Sequence, residues 1–500
     1  MLWGRAGLSA TARPREPGGC GGSKMVDGEL GRIAADVGRR RVVVLSDRYP
    51  PDTVGGAELS LHLLMREAAL REQSVVVTFD KSLESPIHRQ IDGVDVIALP
   101  ANAAWPLHRL SQQQVERLKR RPSAAKWAAF IWETLSCAAR SPRVHAPAIA
   151  LQLAGRPDGG ARMAHATVPE GRAQADIRAL LDLIRPEIVH ADNARSIMMA
   201  ADVLENRPEP LVALVRDHRF TSLRFDQTLD PLEPAAHDLR ERLAAVAART
   251  ALAYRQKCLR RADAVIATSV HLAETLKSVT PAGRLMRLPL APVALPEPTP
   301  PPDRDAFAIL IVGSLSNNKG QAHLIDAWPD LLARIPNARI DIAGQGPSEP
   351  EIEELIARHD ASDRIRLHGH VGGQALAELY RDCDVVALPT LWSEPFGRVP
   401  LEAGGASRPV VAYGSGGLVE TVVDGVTGRV VERGDLCAFI DALAELACDG
   451  EMRARMGAAG RERVLRDYAP VGLAEMLAAV WDDVAGGAGP GIALSRAGTG

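Results

Sequence analysis

Aromatic side chains are scarce, making up only 4% of the 500 residues. The core must therefore be closed by aliphatic side chains, which pack to full density without rings. Charge of one sign is lacking as well. The formal net charge is -3, so no global field points to a polyanion, and no nucleic-acid partner is expected. Cysteine is sparse: the six residues at 20, 137, 258, 383, 437 and 448 form no CxxC pair. That excludes a disulfide scaffold and fits a reducing, cytoplasmic setting. No apolar run reaches the length needed to cross a bilayer, about 18 residues. Arg5 and Arg13 interrupt the first apolar stretch, so residues 1–38 read as a disordered extension and not as a signal peptide. HExxH, a cleft-facing DxD and a Gly-Lys-Ser/Thr phosphate loop are also missing. No metal and no cofactor is expected.

What is present is an α/β grammar, written twice. Hydrophobic residues make up 46% and charged residues 24%, a globular balance, and 500 residues suggest two or three domains. Arg41–Ser46 is a nearly all-apolar run, as in a strand covered on both faces. A helix follows over 57–71, then strands over 74–79 and 94–99. Residues 101–175 break the pattern with Arg- and Ala-rich helical stretches, and alternation resumes to Thr268. Seven prolines between Pro289 and Pro302 then make a stiff linker. Strands and helices alternate again from Ala308 onward. The fold class expected is two doubly wound, Rossmann-like units facing a cleft. The first spans 39–288, the linker 289–304 and the second unit 305–466. A helix over 467–485 is expected to cross back to the first unit, ahead of a Gly-rich tail over 486–500.

The most informative stretch is Ser393–Glu402. A strand ends at Leu388, a loop carries Glu394, and Pro400 can occupy the first turn of the next helix, where its missing N–H costs little. The N–H groups around Gly397, Arg398 and Val399 are then free to face an anion such as a diphosphate. Glu402, a turn into the helix, can accept from a ribose diol. Glu394 can reach hydroxyls beyond the phosphates. The rival reading is two solvated acids at a helix start, favoured by its dipole. The strand–loop–helix setting and the intervening Pro-Phe-Gly decide against it. Gly313-Ser314 and Lys319 follow another strand, with Lys319 placed to neutralise phosphate.

The block from Glu394 to Glu402 resembles the E-x7-E signature of family 4 retaining glycosyltransferases, which have the GT-B fold. Ile342–Pro347, His368–Val371, Pro409–Ala412, Gly416–Glu420 and Asp424–Gly428 resemble further motifs of that family, in the family's order. The resemblance covers most of 305–435. It implies that the second unit binds a nucleoside-diphosphate sugar through Gly313, Ser314, Lys319, Val371, Glu394, Phe396, Gly397, Arg398, Val399 and Glu402. Glu394 would contact the sugar and Glu402 the ribose. Lys319, Glu394, Arg216 and His218 become the catalytic candidates. Gly55, Gly56 and Asp217 mark the acceptor side. Two departures stand out. Ser314 replaces a family arginine and Arg216 a family histidine, leaving His218 as the alternative imidazole.

The activity implied is transfer of a glycosyl group to a hydroxyl acceptor on a glycan, lipid or small molecule, with retention at the anomeric carbon. Two other readings stay open: a GT-B scaffold or regulator without strong catalysis, and a GT-B sugar-nucleotide epimerase or phosphorylase. Arg117–Arg121 with Trp127, Phe130 and Trp132 could touch an inner membrane surface, although a solvated face is the plainer reading.

Overall fold

Val42–Ser46 (β1) is buried at every position, because a β-branched run without alternation needs cover on both faces. The computed structural model describes residues 22–51, 56–80, 82–100, 172–222, 249, 252–292, 298 and 305–487. The first unit holds β1 with Ser74–Asp80 (β2), Ile87–Ile91 (β3), Val94–Pro100 (β4), Ile188–Asp192 (β5), Leu211–Val215 (β6), Ala264–Ala267 (β7) and Leu285–Arg287 (β8). Their order is β3-β4-β2-β1-β5-β6-β7-β8. All neighbours are parallel except β3, which pairs antiparallel with β4. The second unit is an all-parallel sheet of Phe307–Val312 (β9), Ala338–Ala343 (β10), Ile365–Leu367 (β11), Val385–Leu388 (β12), Val410–Tyr413 (β13) and Gly428–Val431 (β14). Its order is β11-β10-β9-β12-β13-β14.

Each sheet reverses its winding once, at β1/β5 in the first and at β9/β12 in the second. A crevice opens where successive connections leave in opposite directions, outside the carboxyl ends of those strands. The fold thus reserves two ligand positions before any side chain is considered.

The helix Pro470–Ala485 returns to the first sheet. Leu473, Ala474, Leu477, Val480, Trp481 and Val484 line one helical face and pack in a core with Val42, Val44 and Val76. Trp481 is fully buried and its Nε1 donates to His190 Nδ1 at 3.4 Å. His190 is thereby a structural histidine. Burial pushes its pKa down to about 3, so it stays neutral.

Three expectations are corrected here. The disorder assigned to 1–38 fails for Gly22–Val37, which is a helix. Leu30, Ile33, Ala34 and Val37 recur at helical spacing and are buried in one core with Ile177, Leu180 and Ile184 of the helix Arg172–Ile184. The single helix over 57–71 is two, Gly56–Met65 and Ala68–Arg71, parted by the extended backbone of Glu67. Strand β3 was not anticipated. It is joined to β4 by Asp92 and Gly93, at φ 50° and 83°, a pair suited to a tight hairpin turn. The linker begins as packed chain, since Ala291 is buried and donates its N–H to Ser60 Oγ at 2.9 Å. Its residues 293–297 and 299–304 lie outside the described residues, as do 101–171 and with them the membrane-surface candidates.

Candidate active site

The crevice at β9/β12 is a cavity of about 190 Å³, lined among others by Gly313, Ser314, Lys319, Glu394, Gly397, Arg398 and Val399. Sequence and fold meet here. Gly313 and Ser314 follow β9, Pro389 and Thr390 follow β12, and Val399–Gly405 is the helix that Pro400 opens. The first-turn N–H groups of such a helix have no intrahelical partner. Lys319 Nζ donates to Glu394 Oε2 at 2.6 Å, and Trp392 Nε1 donates to the same oxygen at 2.8 Å. The ammonium lies 5.0 Å from the centre of the Trp392 ring. Trp392 is a site residue that sequence reading missed. Its place two residues before Glu394 was the available signal.

Glu402 is not presented to the cavity as expected. It is 2% exposed, and its two oxygens accept from Tyr380 Oη at 2.8 Å and from Arg398 Nε at 2.7 Å. The physical reason is the i,i+4 spacing of Arg398 and Glu402, which puts cation and acid on one helix face. Arg398, not Glu402, lines the cavity wall. Phe396 also departs from expectation. Its side chain is buried against Leu401, Val464 and Tyr468, so it supports the loop from behind. Val371 is half-exposed on the loop after β11 and does not line the cavity.

From the first unit, Gly56 stands directly against Arg398. A Cβ on Gly56 would collide with the Arg398 guanidinium, so glycine here lets that group lie directly on the backbone. Gly55 lies outside the described residues. His218 is buried, and its Nε2 donates to the Ser393 carbonyl at 3.1 Å. Burial holds its pKa below the usual value, so the ring is neutral with the proton on Nε2. Asp217 caps the short turn that carries His218 by accepting from Arg219 N at 2.9 Å. Arg216 forms a buried ion pair with Asp192 at the ends of β6 and β5. Its two terminal nitrogens are buried without a hydrogen-bond partner. Burial pushes Asp192 up to about 6 in spite of that arginine.

Among the described residues no group of three or more His, Cys, Asp or Glu side chains could hold a metal. None of their helices is long and apolar enough to cross a membrane.

Two facing doubly wound units, each with a crevice at its switch point, make the GT-B fold. Residues 298–463 match the family model described as Glycosyl transferases group 1. The chain is 40% identical over 124 residues to an uncharacterized glycosyltransferase of Methanocaldococcus jannaschii, covering 25% of this chain and 31% of that one. It is 33% identical over 170 residues to the GDP-mannose-dependent alpha-(1-6)-phosphatidylinositol monomannoside mannosyltransferase of Mycolicibacterium smegmatis, covering 33% and 44%. It is also 36% identical over 165 residues to a D-inositol 3-phosphate glycosyltransferase of Streptomyces griseus, covering 31% and 35%. The chain thus spans less than half the length of these relatives. The fold itself matches over nearly the whole chain. Sucrose-phosphate synthase from Thermosynechococcus elongatus superposes with a TM-score of 0.63 at 19% identity, covering 90% of this chain and 100% of that one. The Anabaena protein HepE, solved with UDP and glucose, gives 0.59 at 18% identity, covering 89% and 100%.

Proposed function

We propose that this protein transfers a glycosyl group from a nucleoside-diphosphate sugar to a hydroxyl acceptor. The observation that carries this reading is the convergence at β9/β12 of Lys319, Arg398 and a helix start on one cavity, with the Glu394 carboxylate at its wall. Cations and free N–H groups suit a diphosphate, and a carboxylate suits sugar hydroxyls. The relatives named as a GDP-mannose-dependent mannosyltransferase and a D-inositol 3-phosphate glycosyltransferase are of the same chemical class.

Without ligand, Lys319 and Glu394 neutralise each other. An arriving diphosphate competes for Lys319 and releases a Glu394 oxygen toward the sugar. Arg398 takes up phosphate in the role left open by Ser314, and in moving it uncovers Glu402 for the ribose diol. The bond between the anomeric carbon and the phosphate oxygen breaks as the acceptor oxygen attacks from the same face. The acceptor proton passes to the departing phosphate, and configuration is retained. His218 is not assigned the base role, because in this step the acceptor proton goes to the departing phosphate; its Nε2 proton holds the Ser393 carbonyl. Glu394 is not assigned a nucleophile role either, since no opposed pair of acids of the glycosidase kind is needed. Lys319 and Arg398 stabilise the charge that grows on the leaving phosphate. Arg216, with two unpartnered nitrogens, is the first-unit candidate for donor or acceptor oxygens.

The reaction is expected to need no metal. Turnover in a chelator tests this, and activity lost there but restored by added divalent cation would sink it. A thermal-shift screen of UDP, GDP and ADP identifies the donor nucleotide through ligand-linked stabilisation. Binding of no nucleotide would favour the scaffold reading. Donor consumed without acceptor, giving an isomerised sugar nucleotide, would favour an epimerase.

A further inference from the structure

Besides Gly56 and His218, the first unit touches the second through a three-residue block, Ser269–His271, at the start of the helix Val270–Leu276. Ser269 Oγ donates to the carbonyl of Pro395. His271 Nε2 pairs with Ser393 Oγ at 2.7 Å. The backbone N–H groups of Val270 and His271 donate to the two carboxylate oxygens of Glu420, each at 2.8 Å. His218 Nε2 adds the contact to the Ser393 carbonyl. The residues on either side of Glu394 are therefore held from the first unit. Glu394 itself is held from the second, where Gly417 N donates to its carbonyl at 2.6 Å. A Cβ on Gly416 would lie 2.6 Å from Glu394 N, so this turn fits against the loop only as glycine.

We propose that Ser269, His271 and Glu420 form a clamp that fixes the Glu394 loop only when the two units are closed. They are positioning residues, acting through Glu394 and touching no substrate. The proposal rests on the donor-site reading above. Its physical content is that closure does more than exclude water. A carboxylate paired to two N–H groups makes charge-assisted, directional bonds, so Glu420 sets the angle between the units. With that angle set, His271 and Ser269 fall on Ser393 and Pro395. In an open form Ser393 and Pro395 lose these bonds and Glu394 keeps only its contacts within the second unit, so donor bound before closure is turned over slowly.

The test uses the full chain and three variants, Glu420→Ala, His271→Ala and His271→Gln, with Glu394→Ala as the reference. Transfer kcat, the Kd of the nucleoside diphosphate found by thermal shift, and the radius of gyration from small-angle X-ray scattering are measured for each. Glu420→Ala and His271→Ala are expected to lower kcat about tenfold or more while Kd moves less than about threefold. Glu420→Ala is expected to enlarge the radius of gyration, and His271→Gln to recover part of the lost kcat. Wild-type kcat in both clamp variants, a Kd that weakens in step with kcat, or an unchanged radius of gyration in Glu420→Ala would each overturn the clamp. If Glu394→Ala is inactive while the clamp variants are normal, only the clamp fails. If Glu394→Ala is fully active, the donor-site reading fails and the clamp with it.

Discussion

The two sheets have the same winding and different chemistry at their switch points. At β9/β12 the second unit gathers Lys319, Arg398, Glu394 and glycine backbone around an open cavity. At β1/β5 the first unit carries Asp47 and Asp192, with Arg195 near the one and Arg216 bonded to the other. The second arrangement leaves charge facing a space. In the first, the Arg216–Asp192 pair is folded into the protein. On the proposed reading, a donor diphosphate is a constant demand, met by one loop and one helix start. The partner on the other side is whatever the first unit has been shaped to take.

That contrast can be broken or sharpened by experiment. The largest effect is expected in the first unit. Asp192→Ala leaves Arg216 buried and uncompensated, and should cost about 3–5 kcal/mol of stability by chemical denaturation. Trp481→Ala should cost a similar amount, about 3–5 kcal/mol, because it empties the core that anchors the returning helix. Stability unchanged in both variants would mean that the first unit is no more tightly committed than the second. Glu394→Ala should come next, lowering transfer about 100-fold while nucleoside-diphosphate affinity holds within about threefold. Equal losses in both would place Glu394 at the nucleotide and not at the sugar.

The smallest effect is on pH dependence. His62, His190, His218 and His271 all have pKa values lowered chiefly by burial. Each is neutral when folded, so its contribution is fully present above the unfolded value of about 6.5 and is lost as pH falls below it. Asp192, raised to about 6, and Asp202, raised by burial, work in the opposite direction below about 6, but they are two groups against four. Lowering the pH from 6.5 to 5.5 should therefore reduce Tm, by about 2–4 °C for each kcal/mol lost. A Tm that rises on acidification would contradict the burial of these histidines.

Much of the second unit was legible because its site is local. Glu394, Gly397, Arg398 and Val399 sit within six residues and a strand end, so chain order alone places them together. Lys319 came from the same logic at the neighbouring strand. The missed features have identifiable causes. Arg398 and Glu402 were read separately, although their i,i+4 spacing made them a pair. Phe396 was assigned to the donor because it lies in the motif, but a large apolar side chain in a loop more readily joins a core. In the first unit, Asp92-Gly93 was an unread hairpin signal, and Leu30, Ile33, Ala34 and Val37 an unread helical stripe. The contacts of Ser269, His271 and Glu420 join residues more than 100 positions apart. No period or short motif records them.

The central claim, that the β9/β12 cavity binds a nucleoside diphosphate through Lys319, is tested most directly by calorimetric titration of UDP, GDP and ADP into the wild-type protein and into Lys319→Ala. The account predicts that one of the three binds the wild type and that the variant binds it about tenfold or more weakly, as expected for a lost charge-assisted bond. Equal affinity in the two proteins, or no binding of any of the three to the wild type, would contradict it.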